Sequence, residues 1–456
     1  MRKASARAVD SAAGHLRSIP AVERILSSPA FSSLASRFGR ENVKQQLTAH
    51  LHTLRSRRRQ YDESQAAAAV GEGLRSATES TLRPVINGTG VIIHTNLGRS
   101  PVDQGIWRSA GKLVTGYSNL EFDLEAGERG VRDEHLASLA RTVFGAEAAV
   151  LTNNNAAGTL LVLAAVAAGR EVIVSRGELV EIGGGFRVPE VIQQGGAKLR
   201  EVGTTNRTRA RDYAEAVKRK KTAAILRVHR SNFDMVGFTE TPTVGELVKV
   251  AKKARLPLLF DEGSGCVVDL AKYGFSAHET VRDLIAAGVD VVTCSTDKLI
   301  GATQGGLIVG RAAIIEKCRR HPLMRAVRAG KESYAVIAET LNGFATGQHE
   351  ERVAIYRMLA IPMDELRARG EELVRGTRCR VVESRCALGG GTTPTETIPS
   401  IAIEVPGHAQ ATREHFLHRD PPIVGRVVDD RFTIEVRTLL HDDLPLVAAA
   451  LRAAPA

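Results

Sequence analysis

An acid and a lysine stand at the ends of two successive strand-like runs. Leu256–Phe260 reads as a buried strand and runs into Asp261-Glu262-Gly263-Ser264-Gly265. Val289–Cys294 reads as another and runs into Ser295-Thr296-Asp297-Lys298, before the small-residue stretch Gly301–Gly306. In a parallel sheet the carboxyl ends of the strands form the crevice in which ligands bind. An acid and a lysine delivered there suit pyridoxal 5'-phosphate chemistry. The acid (Asp261) keeps the pyridine nitrogen protonated, which makes the ring an electron sink, and the lysine (Lys298) forms a Schiff base with the aldehyde. The ordinary role of either residue by itself is blander: a capping Asp, a solvated Lys.

Two further strand ends add residues. Ala148–Leu151 runs into Thr152-Asn153-Asn154-Asn155-Ala156-Ala157-Gly158 and then a helical stretch. Amide and small residues at a helix start expose backbone N–H groups to an anion such as the cofactor phosphate. Simple N-capping is the competing role. Asn153, Asn154, Asn155 and the strand-terminal Ser295 are therefore candidate cofactor contacts. His229 ends the strand Ala223–Val228, where it could sit beside the ring or handle a proton. Arginines recur in loops: Arg99 after Gly98, Arg129 and Arg132 around Gly130, and Arg325 with Arg328. Their guanidinium forks suit oxyanions. If Arg325 and Arg328 share a helix, their i,i+3 spacing puts them on one face. A solvated basic face is the alternative for any one pair.

These residues require a frame. From Val85 short β-branched runs alternate with Ala/Leu-rich stretches (Leu160–Ala168, Val244–Ala254, Val281–Ala287), the pattern of a parallel sheet with helices on both faces. From Ala335 to Leu359 the chain reads as helical. A smaller α+β region follows, with strands at Ser400–Val405, Arg426–Val428 and Phe432–Val436 and a last helix at Leu444–Leu451. Residues before Pro84 read as mostly helical. The expected division is 1–83, a helical basic domain and linker; 84–334, a large α/β domain; and 335–456, a small α+β domain. Gly389–Gly391 reads as a turn, because no helix start follows it.

Composition narrows the class. The chain has 456 residues, 43% hydrophobic and 25% charged, which excludes a mainly disordered chain or a coiled-coil rod. The longest apolar run, Leu160–Ala168, is too short to span a bilayer. With no apolar core behind its basic first residues, the chain is expected in the cytoplasm, away from membranes. Five cysteines without a CxxC pair argue against a disulfide framework and a structural zinc site, and no metal is expected. Lys and Arg number 62 against 51 Asp and Glu. Residues 1–83 hold 14 of those bases and 7 of the acids, so less than a fifth of the chain carries most of the excess. Such asymmetry favours a polyanionic partner.

Taken together, the motifs resemble the bacterial L-seryl-tRNA(Sec) selenium transferase (selenocysteine synthase) family. The resemblance rests on Ile86–Gly90, His94–Arg99, Tyr117–Glu121, Thr152–Ala157, Glu181–Arg187, Glu201–Thr208, His229–Phe233, Asp261–Gly265, Asp297-Lys298-Leu299 and the Arg325/Arg328 segment, in that order along nearly the whole chain. It implies a fold-type-I pyridoxal phosphate transferase. Such an enzyme converts seryl-tRNA(Sec) to selenocysteinyl-tRNA(Sec) with selenophosphate, by β-elimination to an aminoacrylyl-tRNA and selenium addition. Lys298 matches the family's Schiff-base lysine, and by analogy within fold type I Asp261 would pair with the pyridine nitrogen. The family's N-terminal domain binds the tRNA. Its members form homo-oligomeric rings of dimers, decamers by resemblance. Arg99, Arg132, Arg325 and Arg328, and more weakly Arg129, become candidates for holding selenophosphate. Two departures flank the lysine: Thr296 stands where the family usually has Gly, and Gly301-Ala302-Thr303-Gln304-Gly305-Gly306 where it has a Gly-Gly-Pro-Gln-Ala-Gly-like stretch. The rival reading on the same scaffold is a lyase or ammonia-lyase acting on a small hydroxy-amino acid or sugar acid. It would not need the basic N-terminal domain. A nucleic-acid-binding protein with an inert enzyme-like domain is the third, and the intact acid–lysine pair argues against it.

Overall fold

The computed structural model describes residues 19–182, 185–230 and 232–454. Residues 1–18 of the basic segment, and Gly183, Gly184 and Ser231 of the motifs above, lie outside the described residues. The chain divides into two compact units, 1–84 and 85–456.

The first unit is helical: α1 (Val22–Leu26), α2 (Pro29–Phe38), α3 (Arg40–Ser56) and α4 (Glu63–Thr78). Pro29 opens α2, where a missing N–H costs nothing. Asp62 caps α4 by accepting from Gln65 N at 2.8 Å. Ile25, Phe31, Val43, Leu47, Leu51, Val70 and Leu74 form the core. Val43, Leu47 and Leu51 recur every four residues and so share one face of α3. The run Arg57–Arg59 lies just past the end of α3, exposed and without an ion pair among the described residues.

The second unit is built on a seven-stranded sheet. Its strands are β1 (Ala148–Thr152), β2 (Glu171–Ser175), β3 (Lys198–Val202), β4 (Thr222–Val228), β5 (Leu258–Gly263), β6 (Val291–Ser295) and β7 (Gly306–Gly310). Their spatial order is β1-β7-β6-β5-β4-β2-β3. Strands β3, β2, β4, β5 and β6 are parallel, while β7 runs antiparallel to both neighbours. Leu151, Ile173, Ile225 and Val292 face one core, and Val150, Val172, Leu226 and Val291 face the other. Burial on both faces is why these strands read as near-continuous apolar runs. Sequence reasoning missed β3 and β7. The first is an edge strand with polar alternation, and the second, Gly-Leu-Ile-Val-Gly, is bracketed by glycines that read as loop.

Helices α5 (Gln104–Thr115), α6 (Glu134–Phe144), α7 (Asn155–Ala167), α8 (Ala210–Ala216), α9 (Val244–Ala254), α10 (Val281–Ala287), α11 (Met324–Val327) and α12 (Lys331–Ala345) cover or flank the sheet. Capping boxes start the two crossovers that set the acid and the lysine: Thr243 with Glu246 for α9, Thr280 with Asp283 for α10. Val244, Leu247, Val248 and Ala251 place the buried face of α9 at helical spacing. Helix α12 runs across Tyr334, and Val336, Ile337 and Leu341 join the core of the parallel sheet. The helical stretch expected to Leu359 is broken into Lys331–Ala345, His349–Arg352 and Ala354–Ala360.

A four-stranded antiparallel sheet follows, β8 (Arg380–Gly389), β9 (Thr393–Val405), β10 (Arg426–Val428) and β11 (Arg431–Glu435), in the order β8-β9-β11-β10. The segment near Gly90 docks on it: Ala387 N donates to Gly90 O and Ile93 N to Leu388 O, both at 2.8 Å. This links the β8–β9 turn to the loop that carries Arg99. No helix among the described residues is long and apolar enough to cross a membrane.

Candidate active site

Asp261 and Lys298 meet where β5 and β6 end. Asp261 pairs in register with Thr293 of β6, and the ladder then shifts so that Gly263 faces Cys294. Gly263 has φ +71°, a conformation glycine adopts without the Cβ penalty. The irregularity turns the Gly263 carbonyl toward the lysine, and Lys298 Nζ donates to it at 3.1 Å. The Nζ also donates to Gly391 O at 3.3 Å, in the β8–β9 turn. A Cβ on Gly391 would stand 2.7 Å from that Nζ, so the turn closes over the amine only because residue 391 is glycine. The turn at Gly389–Gly391 is therefore a wall of the site, which the sequence reading left as a plain turn.

Lys298 is buried and forms no ion pair among the described residues. Burial lowers its pKa, helped by the charge of Arg99 and opposed by Glu262, Asp297 and Asp261. The amine is thus biased toward its neutral, nucleophilic form. Burial drives Asp261 the other way, raising its pKa against the hydrogen bond from Asn155 and the charge of Lys298. Asn155 Nδ2 donates to Asp261 Oδ1 at 2.8 Å, and Thr293 Oγ1 to the same oxygen at 3.3 Å. A carboxylate so placed is stabilised by an incoming cation.

The three asparagines divide. Asn155 holds Asp261. Asn154 caps α7 by accepting from Ala157 N at 2.9 Å. Asn153 is exposed, and its backbone accepts from Gln304 Nε2 at 3.3 Å and donates to Val327 O at 2.8 Å. The N–H groups of Asn155 and Ala156 have no acceptor among the described residues, which leaves the first turn of α7 open to an anion. Ser295 closes β6, buried and paired with Gly306. His229 follows β4, its N–H donating to Asp261 O at 2.9 Å. Burial, together with the charges of His278, Lys298, Arg227 and Arg230, pushes its imidazole down to about 4, so the ring is neutral near pH 7. His229 Nδ1, Asn155 Oδ1 and Asp297 Oδ1 are buried without a partner. Such atoms occur elsewhere in the chain too, Arg437 Nε and Ser400 Oγ among them, but their collection at one sheet edge fits a polar ring with ionisable substituents.

The arginines fall into separate groups. Arg99 Nη1 donates to Asp297 Oδ2 at 2.7 Å, beside the lysine. A cavity of about 460 Å³ opens there, lined by Arg99, Asp297, Thr303 and Gln304. Arg132, Arg328 and Arg129 converge on Glu121, at 2.7, 3.3 and 3.8 Å. Three cations on one carboxylate leave net positive charge, and the hydrogen bond from Arg132 holds Glu121 below its ordinary pKa. Arg328 also bridges Thr152 at the end of β1, which puts this group by the start of α7. The shared helical face expected for Arg325 and Arg328 does not form. Helix α11 ends at Val327 and Arg328 turns extended (ψ 143°), drawn off by the bridge to Thr152. Arg325 is exposed, and no ion pair involves it among the described residues.

The two departures next to Lys298 form one contact. Thr296 Oγ1 donates to Thr303 O at 2.6 Å, and Thr296 N to Gly305 O at 3.0 Å. The hydroxyl thereby ties the lysine turn across to the small-residue loop. Sequence reasoning gave no role to Glu262, which is fully enclosed. It accepts from Ser264 Oγ, from Gly265 N at 2.5 Å and from Cys266 N at 3.4 Å. It holds the turn whose Ser264 carbonyl accepts from Leu299 N at 3.0 Å. The adjacent acids in Asp261-Glu262 were the available signal: successive strand residues face opposite sides, so on a central strand both must be buried. The cysteines are free, and the described residues contain no group of His, Cys, Asp and Glu able to hold a metal.

Comparison with known proteins follows the same residues. Positions 85–440 match the family model described as L-seryl-tRNA selenium transferase, and 16–55 match selenocysteine synthase N terminal. The L-seryl-tRNA(Sec) selenium transferase of Geobacter sulfurreducens is 45% identical over 95% of this chain and 98% of its own. That of Carboxydothermus hydrogenoformans is 37% identical over 94% and 95%. Among solved structures, a D-glucosaminate-6-phosphate ammonia-lyase matches 82% of this chain and 95% of its own with a TM-score of 0.61 and 23% identity, which shows a shared fold. The fold is that of fold-type-I pyridoxal phosphate enzymes.

Proposed function

We propose, from the premise that this chain belongs to the L-seryl-tRNA selenium transferase family, a division of labour among its residues in converting seryl-tRNA(Sec) to selenocysteinyl-tRNA(Sec). The observation that carries it is the buried Lys298 amine, held by two backbone carbonyls and no carboxylate. Pyridoxal 5'-phosphate, the cofactor its fold class implies, supplies an aldehyde for Lys298 and an electron sink for the substrate's Cα. The residues fit that group. Asp261 holds a proton at the ring nitrogen, steadied by Asn155 and Thr293. The open first turn of α7, behind Asn153 and Asn154, takes the phosphate. His229 offers a neutral imidazole at the same edge, and Ser295 packs at the strand end beside them.

Lys298 then acts on the substrate. Its Nζ would take the proton from the substrate's Cα, and burial favours the neutral form this needs. The β-hydroxyl would leave as water, the selenium of selenophosphate would add to the β-carbon as a proton returns to Cα, and hydrolysis of the Se–P bond would release phosphate. Arg99 faces the cavity beside Lys298, and we assign it the phosphate of selenophosphate. The Glu121 group (Arg129, Arg132, Arg328) and Arg325 are the further candidates for that oxyanion. Residues 1–83 bind the tRNA through their basic surface, the large domain holds the cofactor, and the small domain supplies Gly391. The protein works in the cytoplasm as a homo-oligomer, a ring of dimers.

The test is single-turnover conversion of seryl-tRNA(Sec) with selenophosphate as the limiting reactant. Wild type is expected to form selenocysteinyl-tRNA(Sec). Arg99→Ala should raise the donor concentration needed more than it alters cofactor absorbance. Full activity of that variant at limiting donor refutes the donor assignment, and failure of wild type to use the tRNA refutes the reaction.

A further inference from the structure

The amino edge of the parallel sheet carries a cationic face that the chemistry does not use. Residues 209–221 contain six Lys and Arg against two Asp and Glu, and residues 244–255 four against one. The fold joins these segments. Helix α8 packs beside α9, and Arg211, Lys249 and Lys253 line a shallow groove of about 510 Å³ between them. The turn Lys218-Arg219-Lys220-Lys221 leads from α8 to β4, and is pinned to β2 by Glu171 N donating to Lys221 O at 2.8 Å. Lys252, Lys253 and Arg255 close α9.

The four bases of the turn and the four at 249–255 are all exposed, and none of them forms an ion pair among the described residues. The acids nearby are committed or few. Asp212 accepts from Arg209 N, Glu246 caps α9, and Glu215 remains. A helix C-terminus presents about half a negative charge, so one or two bases would answer these two helix ends. The surplus repels itself unless a polyanion covers it. No large apolar side chain is exposed in either segment, which suits phosphate contact rather than base stacking. The lysines are compact charges without the fork geometry of base readout.

Resting on the transferase reading above, we propose that this face binds the phosphate backbone of the tRNA body, a second RNA contact on the catalytic unit in addition to the basic N-terminal unit. The seven residues of β4 separate Lys221 from His229, eight steps and roughly 26 Å at about 3.3 Å per residue. The face thus holds RNA without touching the reacting end.

The full chain carrying Lys218→Gln, Arg219→Gln, Lys220→Gln and Lys221→Gln tests this against wild type, by binding of seryl-tRNA(Sec) across a salt series. Each lost phosphate contact removes roughly 0.7–0.9 from the slope of log affinity against log salt. The variant should therefore bind at least about tenfold more weakly at low salt, with a slope lower by about three, and keep its cofactor absorbance and unfolding temperature. An unchanged slope and affinity overturn the proposal while the transferase reading stands. A wild type that binds no tRNA overturns both. If the fourfold variant does not fold, Lys249→Gln with Lys253→Gln is read by the same slope, and an unchanged value again overturns it.

Discussion

Two buried charged groups in the same unit are treated in opposite ways. Arg437, under the small sheet, is 3% exposed. Its Nη1 donates to the carbonyls of Met358, Leu359 and Ile361 at 2.9–3.3 Å and its Nη2 to Pro399 O at 3.0 Å, leaving only Nε over. Glu435, two residues away, takes Arg426 at 3.0 Å and the Ser384 hydroxyl. Lys298 is about as deeply buried, at 8% exposed, yet it has two backbone acceptors against the four carbonyls around Arg437, and it lies amid orphaned atoms of Asp297, His229 and Asn155. Near-complete pairing marks a buried charge that holds the fold together. Spare capacity marks one kept for a ligand, because a half-satisfied buried group costs stability that only binding recovers.

Substitutions should separate the two. Lys298→Ala should lower turnover by at least about 10³-fold, abolish reductive trapping of the cofactor on the protein, and leave the unfolding midpoint unchanged or higher. Trapped cofactor elsewhere on the chain would undo the lysine's role. Arg437→Ala should do the reverse. Stripping that many carbonyls of their donor, at about 1–3 kcal/mol for a buried acceptor left unsatisfied, is expected to cost at least about 3 kcal/mol in denaturant unfolding, with cofactor trapping intact in the folded fraction. A smaller loss than Lys298→Ala would break the contrast.

Glycines of the β8–β9 turn give a finer test. Gly391→Ala places a methyl against Lys298 Nζ, whereas a Cβ on Gly390 meets only Thr95 Oγ1, at 4.0 Å. The 391 variant should lose rate and shift the pH at which Lys298 reacts with an added aldehyde, and Gly390→Ala should do neither. Equal behaviour would remove Gly391 from the site.

The smallest effect is a slope. Burial raises the pKa of Glu262 above its ordinary 4.5, so the folded chain holds that proton more tightly than the unfolded chain. The stability this contributes is complete below about 4.5 and drains as pH rises through the raised value. Glu262→Gln removes the drain, so its stability relative to wild type should improve as pH rises above 4.5. A pH-independent difference would mean that the folded chain holds the Glu262 proton no more tightly than the unfolded chain.

Much of the site was legible because parallel strands deliver chemistry to one edge. Asp261, Lys298, His229 and Asn155 could each be placed by the strand or helix they adjoin. What escaped notice arrives from far along the chain or depends on conformation. Gly391 O reaches Lys298 from the small sheet, 93 residues away in sequence, and nothing in a run of glycines announces what lies beneath it. The split of Arg325 from Arg328 turns on a β-bridge to Thr152 that outweighs helix continuation. Strand β7 was hidden because its bracketing glycines admit close backbone approach: a Cβ on Gly306 would stand 2.1 Å from Asn154 O.

The central claim is that Lys298 sits in a site built for the seryl group of one tRNA. The direct measurement is titration of the cofactor-loaded protein with seryl-tRNA(Sec) and, separately, seryl-tRNA(Ser), following the cofactor's visible absorbance. A change with the first and none with the second is the expected result. A spectrum indifferent to both tRNAs but responsive to small free amino acids would contradict it.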